Sequence, residues 1–195
     1  MMAKITKDSL LSLEAYAKQR NTLRAEAIKE KNVRKVFIGP NVTLQFENEK
    51  TMRYQIQEML RIERTFEEEG IMDELEVYNP LVPDGSNLKC TQLIEFPDIE
   101  ERKEMLKKLK GLEKRTYIQV NGFDRVYAIA DEDLERENDE KTSAVHFMRF
   151  ELKADMVEAF KGGEAMAMGI DLPAYNYRVD EIAPETQSSL MADFS

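Results

Sequence analysis

The stretch TMRYQIQEMLRIERTFEEEGIMDELEVY, residues 51–78, is the longest helical pattern in the chain and marks where the fold is expected to centre. At about 3.6 residues per turn, Met52, Ile56, Met59, Leu60, Ile62 and Phe66 gather on one arc. Glu63 falls near the middle of that arc. A carboxylate there must be paired, metal-bound, protonated or at a wet boundary, because burying it bare is expensive. The Glu-rich run up to Gly70 is expected to break the helix, and a further turn or two ends before Asn79-Pro80.

Upstream, Thr6 can cap a helix over Lys7–Gln19, and Thr22–Lys31 reads as a second helix or a bent continuation. Val33–Ile38 and Val42–Phe46, joined at Gly39-Pro40-Asn41, read as a β-hairpin, with Val42, Leu44 and Phe46 alternating against polar neighbours. Thr51 is a candidate cap for the central helix. Downstream, NPLVPDGSN (79–87) is a loop and the best internal boundary in what reads as one compact unit spanning 1–195.

Leu88–Phe96 is expected to be a strand with Leu88, Cys90, Gln92, Ile94 and Phe96 on one face. Asp98 and Glu101 form a capping-box-like start for a helix over Ile99–Lys110, stopped by Gly111. Thr116–Val120, Asn121-Gly122 and Phe123–Ala130 predict a tight hairpin. Ser143–Leu152, Ala154–Lys161 and Ala165–Ile170 repeat strand, helix and strand. Tyr175–Val179 suggests a last strand, and Pro184 a terminal helical turn. The two strand–helix–strand passages, 88–120 and 144–170, share little sequence and are read as two instances of a common unit. The order from 88 to 152 also permits a split βαβ sandwich. The fold class is α+β: N-terminal helices and a hairpin, a long central helix, then a mixed or antiparallel sheet.

The chain has 195 residues, 42% apolar and 34% charged, with a net charge of −10. That balance argues against nucleic-acid backbone binding as the main activity. Cys90 is the only cysteine, so no internal disulfide and no cysteine-rich zinc or iron–sulfur site can form within one chain. The N-terminus lacks the apolar core of a signal peptide, and no apolar run approaches a membrane span. A cytoplasmic protein is the default expectation.

His146, the only histidine, shares a strand face with Ala144, Met148, Phe150 and Leu152. It reads as a hydrogen-bonded core residue, or else as a general base or metal ligand. Glu63 and Glu67, four residues apart, could ligate a divalent metal with His146. The competing reading solvates Glu67 and pairs Glu63 with an arginine such as Arg149. Cys90 reads as a small hydrophobe. The acidic run 131–140 lacks EF-hand spacing and suits a solvated face or a docking patch. No paired Glu-x-x-His signature, phosphate-cradling glycine loop or nucleophile elbow occurs.

The segments YQIQEMLRIER (54–64), YNPLVPDGSNLK (78–89), LIEFPDIEERK (93–103) and RVYAIADEDLERENDEKTSAVHFMRFEL (125–152) resemble a bacterial domain-of-unknown-function family, over nearly the whole chain. Its members have no assigned activity. Their genes commonly sit beside those for rubrerythrin and for an iron–sulfur protein similar to a heterodisulfide reductase or glycerol-3-phosphate dehydrogenase subunit. The resemblance implies a role beside a cytoplasmic electron-transfer or peroxide-defence system, and it carries no catalytic residues. With one cysteine and one histidine, the chain fits an accessory partner of rubrerythrin or of the iron–sulfur protein better than a redox carrier. A small metalloprotein or metal-dependent enzyme, and a small-ligand binding domain, are the other readings.

Overall fold

The computed structural model describes residues 5–132, 136, 138 and 140–195. Among them the strands form two sheets, a five-stranded one in the order β1-β2-β3-β7-β6 and a four-stranded one in the order β5-β4-β8-β9. The first comprises β1 (Lys35–Ile38), β2 (Val42–Glu47), β3 (Asn87–Ile94), β6 (Ile129–Ala130) and β7 (Val145–Glu151). The second comprises β4 (Thr116–Val120), β5 (Val126–Tyr127), β8 (Met166–Leu172) and β9 (Tyr175–Val179). All ladders are antiparallel, and the α+β class holds.

The period-2 alternation decides what lies between the sheets. In register, Leu44, Gln92 and His146 stand side by side, as do Phe46, Cys90 and Met148. Facing them are Ile118, Val120, Met166, Met168 and Ile170, all in one buried cluster. Helices α4 (Ile99–Lys108), α5 (Ala154–Lys161) and α6 (Pro184–Met191) add Leu106, Met156, Phe160 and Leu190 to it. Asp98 caps α4 as expected, its carboxylate accepting from Glu101 N at 2.8 Å. The edges are tied. Tyr175 Oη on β9 donates to Ile38 O at 2.7 Å and accepts from Asn41 N at 2.9 Å. At the other side the chain passes through Ala128 from β5 in one sheet to β6 in the other.

Each strand–helix–strand passage runs from the five-stranded to the four-stranded sheet. Strands β3 and β7 pair antiparallel, and so do β4 and β8. The split βαβ arrangement is therefore not the one adopted. Alternation says which face a residue occupies, not which sheet its strand joins. The expected tight hairpin is also looser. Ile118 pairs with Val126, so residues 121–125 form the loop, with Gly122 at φ 83°.

The core between the sheets, not the 51–78 helix, is the centre of the molecule. Three helices form a separate corner: α1 (Leu13–Val33), α2 (Glu49–Glu63) and α3 (Glu68–Tyr78). α1 is one continuous helix, so of the two readings of Thr22–Lys31 the continuation is the one adopted, and a 3₁₀ turn at Lys7–Ser9 precedes it. Asn48, not Thr51, is the N-cap of α2: its side chain accepts from Thr51 N, and the Thr51 hydroxyl accepts from Asn48 N, both at 3.0 Å. Met52, Ile56 and Leu60 bury one face of α2 against Ile5, Leu75 and Val82. Glu58 joins α1 to α2, accepting from Tyr16 Oη at 2.7 Å and from Arg20 Nε and Nη2 at 2.7 and 2.9 Å. Those bonds, Arg20's foremost, pull its carboxyl down to about 2, while burial and Glu58 push the Tyr16 phenol up. The buried Arg34 guanidinium fastens the end of α1, donating to Phe46 O, Glu47 O and Ser189 O and pairing with Asp193. Burial raises the Asp193 carboxyl to about 6, against the pull of Arg34. None of the described helices is long and apolar enough to cross a membrane.

Candidate functional site

The corner presents two features to solvent, one at each end of α3. At its start the chain makes an elbow. α2 stops at Glu63 because Arg64 turns into the left-handed region, φ 56°, its N–H bonding back to Leu60 O and Arg61 O. The helical wheel that buries Met52, Ile56 and Leu60 is not continued past that point. Phe66 beyond the break is exposed by 72%, Ile62, on the side of α2 away from Leu60, by 61%, and Met72 on α3 by 51%. Carboxylates at 63, 67, 68, 69, 73 and 74 flank them along the chain, with Arg61 and Arg64 interspersed. The crowding has an electrostatic signature: burial, then the charges of Glu63 and Asp73, raise the Glu74 carboxyl. Lys7, paired with Glu68 at 2.8 Å, offsets part of that charge.

At the far end, α3 and the 3₁₀ turn Asn79–Leu81 wall a groove against the outward face of β3, β6 and β7. Its cavity measures about 470 Å³. Tyr78 and Leu81 face Ile129 and Phe147, with Lys89 and Arg149 from adjacent strands between them. Arg149 is held by two carboxylates: Nε and Nη2 donate to Glu132 at 2.6 and 3.0 Å, and Nη1 to Glu151 at 2.5 Å. Lys89 is half-buried, and burial, followed by the charge of Arg149, lowers its pKa.

On the inner face of β7 lies His146, fully buried. Its Nδ1 is 2.6 Å from Asp131 Oδ2, and its Nε2 is 2.9 Å from Thr142 Oγ1 and 3.0 Å from Ser143 O. Each ring nitrogen faces an oxygen that can only accept, the Asp131 carboxylate at Nδ1 and the Ser143 carbonyl at Nε2. Asp131 holds this position at φ 53°, where its Oδ1 also takes Phe147 N at 3.3 Å. Carboxylate, imidazole and hydroxyl thus stand in the order of a hydrolytic triad. His146 and Thr142 are both buried, so no substrate reaches the hydroxyl. This is a core hydrogen-bond network. Cys90 is sealed as well, and burial pushes its thiol far above the usual range.

Residues 4–194 match the family described as protein of unknown function (DUF3501). The chain belongs to this family. A solved relative, a novel protein of unknown function from Burkholderia pseudomallei K96243, is 49% identical, with 99% of this chain and 100% of that chain covered and a TM-score of 0.94. No curated protein matches the chain.

In this DUF3501 chain Glu63 and Glu67 are exposed at the elbow, while His146 is sealed between the sheets. Among the described residues no group of three or more His, Cys, Asp or Glu side chains is placed to hold a metal ion. Glu63, Glu67 and His146 are not brought together. The reading of Glu63 as a carboxylate on an apolar arc is corrected, since the arc ends at Leu60, and Arg149 pairs with Glu132 and Glu151 instead. Of the acidic run, residues 133, 134, 135, 137 and 139 lie outside the described residues. Lys89 and Asp131 carried no signal in the sequence. Lys89 occupies an outward strand position where a solvated lysine is ordinary, and Asp131 reaches His146 across fifteen residues of chain.

Proposed function

We propose that the protein is an accessory, partner-binding component of an electron-transfer or peroxide-defence system, docking through the α2–α3 elbow on a basic surface of rubrerythrin or of an iron–sulfur reductase-like protein. One observation carries this reading: Ile62, Phe66 and Met72 are left in water among crowded carboxylates. Apolar side chains at the centre of a charged rim are the anatomy of a transient docking patch, in which the apolar anchors supply affinity and the charges supply orientation and encounter rate. The raised Glu74 carboxyl favours a cationic occupant, because a positive partner relieves the repulsion from Glu63 and Asp73. The groups suited to covalent or acid–base chemistry, Cys90 and the Asp131–His146–Thr142 set, lie out of reach of any substrate, which favours binding over catalysis. The choice of partner rests on the gene neighbourhood that the family resemblance implies.

The test is association of the purified chain with rubrerythrin and with the iron–sulfur protein, each oxidised and reduced. Binding is expected to weaken with salt, and Phe66→Ser with Met72→Ser to reduce it about ten-fold or more, as truncated anchors do. Failure to bind either partner in either redox state overturns the reading.

A further inference from the structure

We propose that the groove between α3 and the outward face of the five-stranded sheet is a binding site for a small organic acid, its carboxylate on Lys89 and its apolar chain along Val77, Leu81, Ile129 and Phe147. The site is separate from the elbow and does not depend on any partner.

The charges of this face are arranged unusually. In register across the sheet stand Glu47 on β2, Lys89 on β3 and Arg149 on β7. A lysine between a glutamate and an arginine would ordinarily pair with the glutamate. Glu47 is buried and already committed: Oε2 accepts from the Thr51 hydroxyl at 2.6 Å and Oε1 from the Thr91 hydroxyl at 2.9 Å. Arg149, directly opposite Lys89, is paired with Glu132 and Glu151. Lys89 therefore has no direct ion pair on either side, its neighbour Arg149 being held by two carboxylates of its own. Among the described residues it has no carboxylate within 4.0 Å. Asp84, Glu151 and Glu132 act on it only at longer range, and burial has already stripped part of its hydration. A ligand carboxylate supplies the direct contact that these more distant carboxylates do not make.

The walls specify the rest of the ligand. Val77 and Ile129 are exposed by 62% and 40%, and both line the groove with Leu81 and Phe147. Its cavity of about 470 Å³ falls within the range of small-molecule sites, roughly 300–1,000 Å³. Glu76 and Glu132 at the rim disfavour a doubly charged phosphate. The two arginines of the lining are engaged, Arg149 with Glu132 and Glu151 and Arg136 over the Phe147 ring at 4.6 Å, so the Lys89 ammonium receives the ligand and suits a monoanion.

Hexanoate and hexanamide, matched in shape and differing in charge, are the probes, titrated into the full chain by calorimetry and by amide chemical-shift mapping. Hexanoate is expected to bind about ten-fold or more tightly than hexanamide, the worth of a charge-assisted over a neutral hydrogen bond. Shifts are expected at Phe147, Ile129 and Lys89. Lys89→Met, which keeps the stem and removes the charge, should abolish the preference while the far-ultraviolet spectrum stays unchanged. Should that variant not fold, Val77→Asp, on the exposed wall, is expected to weaken hexanoate binding instead. Equal binding of the two probes, no binding at millimolar concentration, or shifts elsewhere in the molecule would each overturn the proposal.

Discussion

Between the sheets, Leu44, Phe46, Leu88, Phe150, Met168 and Ile170 have no exposed surface, and helices α4, α5 and α6 extend the same cluster. The α1–α2–α3 corner closes on Ile5, Met52, Ile56, Leu60, Leu75 and Val82, and leaves Ile62, Phe66 and Met72 in water. One region spends its apolar residues on cohesion. The other holds together largely through polar ties, Glu58 with Tyr16 and Arg20, and Gln57 with the backbone of Leu11, and keeps apolar surface available. The difference implies a division of labour in which the sandwich sets global stability and the corner can open or dock without unfolding it.

A cavity cut in each region separates the two most strongly. Phe150→Ala is expected to cost about 4 kcal/mol and to lower the single cooperative transition. Leu75→Ala is expected to cost about 2 kcal/mol, with the loss confined to α3. Urea melts give the magnitudes, and hydrogen exchange shows where protection is lost. If Leu75→Ala exposes β3 and β7 amides as much as those of α3, the corner and sandwich are one cooperative unit.

A smaller effect tests the polar ties. The Glu58 carboxyl is held at about 2, below its unfolded value near 4.5, so its contribution is present above pH 4.5 and is lost as the pH falls towards 2. Allowing for water on its open side, the ionised group contributes about 2 kcal/mol at neutral pH. Glu58→Gln should remove that amount at pH 7, and the two proteins should converge in stability towards pH 2. A constant gap across that window would show that the variant loses packing rather than charge.

The sequence exposes the sandwich through alternation. Cys90, Gln92, Ile94, His146 and Met148 all point inward, as their spacing implies, and Asp98 starts α4 where its side chain can reach Glu101 N. The partition into two sheets is invisible to alternation, because period 2 is the same whichever strand lies alongside. The elbow misleads a helical wheel for a related reason. The wheel assumes that the helix continues, and a single left-handed residue, Arg64, takes Phe66 off the buried arc, while Ile62 already stands on the far side of α2 from Leu60. Lys89 is legible only after the register is known, since its meaning lies in Glu47 and Arg149 standing on either side of it.

The smallest expected effect is the sharpest test of the elbow. Phe66 is in water, so its truncation removes little buried area, and surface substitutions of this kind change stability by about 0.5 kcal/mol or less. Phe66→Ser should therefore melt with the parent protein, while Leu75→Ala, a few residues away on the buried side of the same corner, should not. The contrast does not require a partner to be known. If Phe66→Ser costs as much as Leu75→Ala, Phe66 is packed in solution, by a second copy or by a closed form of the corner, and the elbow is not free to dock. If the stability is unchanged and partner affinity falls, Phe66 acts in association and not in the fold, the signature of an exposed anchor.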